Sequence, residues 1–190
     1  MDRSIHTYSF RPLLAAMVLA LLASCGPQDK AMNLSKDTDP KEFDPWVIRT
    51  DFSDESLWLK IKDLVSAGQK DGNQEFFAYV KFVSQENHRD KAPSDIVTSL
   101  PDNYNRHFCF VVDHDTIVNH EHPLLVVGFY PSDHKSFDRL PRFTPAGDIK
   151  TFRALPSQIQ AIENNLSIAN MDFEEFADSV GKDGVFRGFP

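Results

Sequence analysis

Two short stretches, Phe108-Cys-Phe-Val-Val112 and Leu124-Leu-Val-Val-Gly-Phe-Tyr130, constrain the fold of this 190-residue chain more than any other feature. Each is a nearly unbroken apolar run bounded by polar residues. A strand with one wet face alternates apolar and polar side chains, whereas a continuous run needs cover on both faces. The stretches therefore read as central strands (His107 to Val112 and Leu124 to Tyr130) under helices, and the fold class is α+β (mixed α/β) with a single core. A composition of 41% hydrophobic and 25% charged residues is that of a folded chain and excludes disorder.

The rest of the pattern supplies the other strands and the helices. Trp46-Val-Ile48 reads as a buried strand, Phe76 to Val83 and Ile149 to Leu155 as further strands. Asp51-Phe-Ser-Asp-Glu55 carries helix-start chemistry with Ser53 as N-cap, followed by Leu57, Ile61, Leu64 and Val65 at helical spacing and a stop at Gly68. Gln69 to Asn73 reads as a polar loop, and Pro93 to Leu100 as a short helix ended by Pro101. Asp113 to Pro123 is a polar connection, and Pro131 to Gly147 a long loop. Pro156 opens one C-terminal helix, with Leu155, Ile159, Ile162 and Leu166 on one face. Asp172-Phe-Glu-Glu175 opens a second as a capping box, with Phe173, Phe176, Ala177 and Val180 as its apolar stripe. The expectation is a central sheet of about four to five strands with flanking helices and two C-terminal helices.

The N-terminus has a different character. Arg3 and Arg11 precede an apolar stretch from Pro12 to Leu22, which is shorter than the roughly 20 residues of a membrane span. It ends in Leu22-Ala23-Ser24-Cys25, which resembles the lipobox cut by the bacterial lipoprotein signal peptidase. The expected organisation is a signal peptide at 1–24, a lipidated N-terminus and polar tether at 25–45, and a globular domain at 46–190. Diacylglycerol and palmitate chains on Cys25 would hold the protein at the cell membrane or outer membrane, facing the periplasm or exterior. Each buried CH2 adds about 0.8 kcal/mol to such an anchor. Gly26, in place of Asp, suits sorting to the outer membrane.

Net charge is -8, and leaving out Asp2, Arg3 and Arg11, which sum to +1, gives -9 for the remainder. Such a surface repels nucleic acid and anionic headgroups, so no nucleic-acid partner is expected, while a basic protein partner is suited. With Cys25 lipidated, Cys109 has no partner for a disulfide and reads as a small buried hydrophobe.

The densest set of candidate ligands is Asp113, His114 and Asp115 with His120, Glu121 and His122. Imidazoles and carboxylates on one loop offer zinc the donors it takes, but this spacing fits no zinc pattern, and a water-facing loop is the preferred reading. No G-x-S-x-G, phosphate-cradling glycine loop or H-E-x-x-H occurs, and no cofactor or bound metal is expected. Glu163, Asp172, Glu174 and Glu175 read as helix caps and solvated acids in preference to an acidic site near the C-terminus. Asn164, Asn165 and Asn170 read as caps between the two C-terminal helices in preference to ligand contacts. Phe186 and Phe189 read as packing back on the core.

The stretch Glu163 to Ala177 (ENNLSIANMDFEEFA), with Gly184-Val-Phe-Arg-Gly-Phe189, resembles an uncharacterised bacterial domain family of unknown function. Val47-Ile-Arg-Thr-Asp-Phe52, Phe110-Val-Val-Asp113 and Glu121-His-Pro-Leu-Leu-Val-Val127 are similar to the same family, which covers about 47 to 189. The resemblance implies one fold unit and no activity. Gly128 stands where similar sequences carry an acidic residue. The expected function is a non-enzymatic, lipid-anchored module binding a protein in the envelope, an immunity-type protein being one version. The alternatives are an envelope hydrolase or metal-binding protein using the Asp113–His122 loop, and a purely structural envelope component.

Overall fold

A computed structural model describes residues 44–129 and 149–190. The expected signal peptide, Cys25, nearly all of the tether, and the loop at Pro131 to Gly147 lie outside the described residues. In chain order the elements are β1 (Trp46–Arg49), α1 (Glu55–Ser66), β2 (Gln69–Asp71), β3 (Gln74–Phe76), β4 (Lys81–Val83), α2 (Pro93–Thr98) and β5 (Phe108–Val112). Then come α3 (His114–Val118), β6 (Leu124–Phe129), β7 (Ile149–Ala154), α4 (Ile159–Ser167), α5 (Phe173–Ala177) and β8 (Val185–Phe186). No helix among the described residues is long and apolar enough to cross a membrane.

Six strands form one mixed sheet in the order β4-β1-β5-β6-β7-β8. β1 is parallel to both β4 and β5, β6 is antiparallel to β5 and β7, and β8 is parallel to β7. The register lines Val47, Phe110, Val126 and Phe152 into one row across the sheet. Trp58, Ile61 and Val65 of α1, Ile159 and Ile162 of α4, and Phe173 and Phe176 of α5 close over that row. Aromatic edges interlock there, with the Phe152 and Phe173 rings 4.9 Å apart and the Phe176 and Phe186 rings 5.4 Å apart. The opposite face, Ile48, Cys109, Val111, Val127 and Phe129, lies under Ile96 and Val97 of α2. All five side chains of β5 are buried, as its unbroken apolar run demands. Cys109 is a buried free thiol, pushed up to about 12 by desolvation.

Several local expectations need correction. The sheet has six strands, because β8, two residues long and too short to show a period, adds to β7. Gln69 to Asn73 belongs to a separate hairpin: Gly72, at φ +58°, and Asn73 make the two-residue turn between β2 and β3. Asp54, not Ser53, caps α1, its Oδ1 accepting from the Leu57 N–H at 2.9 Å. The buried stripe of α1 includes Trp58 and leaves Leu64 38% exposed, because the larger indole takes the core position beside Phe82.

The segment expected as one strand from Phe76 to Val83 is split between β3 and β4. From Phe77 to Phe82 a period of two survives. Ala78, Val80 and Phe82 pack against the core, while Phe77, Tyr79 and Lys81 are exposed.

Candidate functional site

The polar residues gather at the carboxyl ends of β1, β4 and β5, where three loops are stitched together by backbone hydrogen bonds. Thr50 N–H and Asp51 N–H both donate to the Val112 carbonyl, at 2.9 and 3.3 Å, tying the end of β1 to the end of β5. Asp90 N–H donates to the Thr50 carbonyl at 3.1 Å, tying the loop after β4 to the same point.

Beyond β5 the connection expected as an irregular polar loop contains α3. Asp113 is its N-cap, its Oδ1 accepting from Thr116 N–H at 3.0 Å and from the Thr116 hydroxyl at 2.9 Å. Thr116 and Ile117 turn inward, so five helical residues suffice. Arg153 of β7 grips the Asp113 carboxylate with both terminal nitrogens, at 3.1 and 2.7 Å, and reaches Asp115 at 2.8 Å. Burial raises the Asp113 carboxyl, but the hydrogen bonds from Arg153 and Thr116 outweigh it and hold the group below its ordinary range.

His114 does not work with Asp113. Its Nδ1 lies 3.0 Å from Oδ2 of Asp51, whose Oδ1 accepts from Ser53 N–H at 2.7 Å. The imidazole is 75% exposed and the Asp51 side chain only 10%. Desolvation raises the Asp51 carboxyl, yet bonds from Ser53 and His114 bring it below the usual value. His122, at φ +51°, is buried, with Nδ1 3.0 Å from the Thr116 carbonyl and Nε2 3.2 Å from Lys60 Nζ. A carbonyl only accepts and an ammonium only donates, so His122 carries its proton on Nδ1. Glu121 pairs with Arg187 at 2.5 Å, and Arg187 also holds Asp183 at 2.8 Å. Arg187 therefore pulls Asp183 down to about 2 and Glu121 below its usual value.

Of the six residues singled out between Asp113 and His122, Asp113 and Asp115 meet on Arg153, whereas His114, Glu121 and His122 go to different partners. His120 is exposed. Among the described residues no three His, Cys, Asp or Glu side chains converge as a metal site would require. The asparagines lie elsewhere, at the junction of α4 and α5. Asn165 Nδ2 donates to the Ala161 carbonyl at 2.8 Å, Asn170 Nδ2 donates to Asn165 Oδ1 at 2.6 Å, and Asn164 is exposed. The Asn165 and Asn170 amides thus link the junction to each other and to the body of α4, and neither bonds a free backbone group at a helix end.

Glu163 is not the solvated or capping acid expected. It is 4% exposed and joins the segment before β4 to α4, accepting from Tyr79 N–H at 3.3 Å and from the Ser167 hydroxyl at 2.9 Å. Burial raises its carboxyl above the ordinary value despite those bonds. Asp172 and Glu175 form the expected capping box, and Glu174 pairs with Lys150.

Asp51, Lys60, Arg153 and Arg187 were not legible as members of this cluster. Each comes from a different part of the chain, and only the sheet order brings them near the Asp113–His122 segment. Residues 44–189 match a family described as a domain of unknown function (DUF6924). No curated protein and no solved structure matches the chain.

Proposed function

Because the chain belongs to the DUF6924 family, whose description carries no activity, we propose a function from its own residues: a non-enzymatic, lipid-anchored module that binds a protein at the cell envelope. The observation that carries it is a contrast. The ionisable side chains of the strand-end cluster are spent largely on one another, while Phe77 and Tyr79 stand 48% and 69% exposed on one side of an extended segment. Exposed aromatics project large, rigid, amphipathic surface at little entropic cost, which is why such residues anchor protein interfaces. A net charge of -8 favours a partner with a basic rim. The anchor rests on Leu22-Ala23-Ser24-Cys25, followed by a polar stretch before residue 44, where the family match begins.

The test has two arms. Membrane fractionation with mass spectrometry of the processed N-terminus is expected to find acyl chains on Cys25 and to lose them in Cys25→Ser. Capture from gently cross-linked cells is expected to bring down one stoichiometric partner with both forms, and to lose it in a Phe77→Asp, Tyr79→Asp double variant. Full-length protein without acyl chains, or capture indifferent to the double variant, contradicts the proposal.

A further inference from the structure

Residues 77–80 join the β2–β3 hairpin to β4 and lie in neither strand. Ala78 and Val80 nevertheless pack on the core while Phe77 and Tyr79 face outward, the alternation of an extended chain. Holding a residue in one backbone conformation costs about 1–2 kcal/mol, so such a segment needs an anchor beyond the packing of two small side chains. From Lys81 onward β1 supplies it. The β1–β4 register starts at Trp46 and Lys81, and Lys81 N–H donates to the Pro45 carbonyl at 3.0 Å. Two residues earlier, Tyr79 N–H points the same way by the period of two. Its acceptor is not a strand carbonyl but Oε2 of Glu163, which lies on α4, 84 residues further along the chain, at 3.3 Å.

Glu163 is an unusual occupant of its position. It is 4% exposed and follows the fully buried Ile162. An apolar side chain would be buried there without penalty, whereas a carboxylate is costly to bury unless hydrogen bonds offset the loss of water. Ser167, one turn further along α4, donates its hydroxyl to Oε1 at 2.9 Å. That bond orients the carboxylate and leaves Oε2 for Tyr79. In an extended segment a slip of one residue turns every side chain to the other face, so a bond at Tyr79 fixes which pair looks outward.

We infer that Glu163 is the positioning residue of the partner-binding surface: by holding Tyr79 N–H it keeps residues 77–80 extended, with Phe77 and Tyr79 directed at the partner. The inference rests on the reading of Phe77 and Tyr79 as the docking surface and adds the group that presents them.

The test compares two replacements in the full chain. Glu163→Gln keeps an oxygen for Tyr79 N–H and offers its amide nitrogen to the Ser167 hydroxyl, whereas Glu163→Met fills the space and accepts nothing of comparable strength. Hydrogen exchange at the Tyr79 amide is expected to speed about tenfold in Glu163→Met and to stay within about threefold in Glu163→Gln, with the Val111 amide of β5 no faster in either. Ser167→Ala, which leaves the carboxylate present but unoriented, is expected to speed Tyr79 by about threefold and to spare Val111 as well. In cells, the yield of partner crosslinked to a photoreactive phenylalanine analogue at Phe77 is expected to fall about fivefold or more with Glu163→Met and to be kept with Glu163→Gln. Unchanged Tyr79 exchange in both Glu163→Met and Ser167→Ala overturns the inference. So does faster Tyr79 exchange with an undiminished crosslink, which leaves the docking surface itself standing. A chain with Glu163 intact that traps no partner from Phe77 overturns the docking reading, and the inference falls with it.

Discussion

Asp113 serves the molecule twice, as the cap of α3 and as the counter-ion of Arg153. Its replacement by Ala removes a helix cap and leaves the Arg153 side chain, 20% exposed, without its bidentate partner. The expected loss is about 2–4 kcal/mol in urea unfolding, and a loss below about 1 kcal/mol contradicts the role. Gly128 shows the reverse constraint, a lack of space. A Cβ there would stand 2.6 Å from the Phe173 ring, which is itself fully buried against Phe152. Gly128→Ala is therefore expected to cost about 1–3 kcal/mol through overpacking, read as a lower denaturation midpoint at unchanged slope.

At the level of single elements, the start of α1 separates two readings cleanly. Asp54→Ala is expected to cost about 1 kcal/mol and Ser53→Ala to stay within about 0.5 kcal/mol, because only Asp54 caps the helix. Equal losses at the two positions would contradict that assignment. The sequence could not choose between them, since both residue types cap well and stand one apart. It was reliable where one physical requirement dominated. β5 and β6 were legible because continuous apolar runs admit few alternatives, and α5 because Asp172 and Glu175 satisfy each other's backbone. α3 was hidden because its polar first turn looks like a loop until Thr116 and Ile117 are seen to be buried. β8 was hidden because two residues have no period, and it exists only through pairing with β7.

For the molecule as a whole, acid should act in two stages. His88 has a folded pKa below its unfolded value of about 6.5, so the unfolded chain binds the extra proton first. Its contribution is present above that pH and is lost as pH falls through the depressed folded value. Asp51 and Asp113 are also depressed, so their contribution is present above their unfolded value near 4 and is lost at lower pH. Thermal midpoints measured from pH 7.5 downward should therefore fall first below about pH 6.5 and again below about pH 4. In a folded His88→Gln variant the first decline should shrink, and an unchanged profile would contradict the role given to His88. This strand-end cluster was only half legible in the sequence. Asp113 to His122 announced themselves by density, but their partners Asp51, Lys60, Arg153 and Arg187 are separated from them by up to 66 residues and meet them only through the sheet order and the packing around it.

The proposal that the exposed aromatics receive a protein partner is tested most directly by photo-crosslinking inside living cells. A photoreactive phenylalanine analogue placed at Phe77 or Tyr79, both outward-facing, should trap the same single partner from either position, and one placed at exposed Lys182 should not. No crosslinked species from either aromatic position, or the same products from Lys182 as from Phe77, would contradict the account.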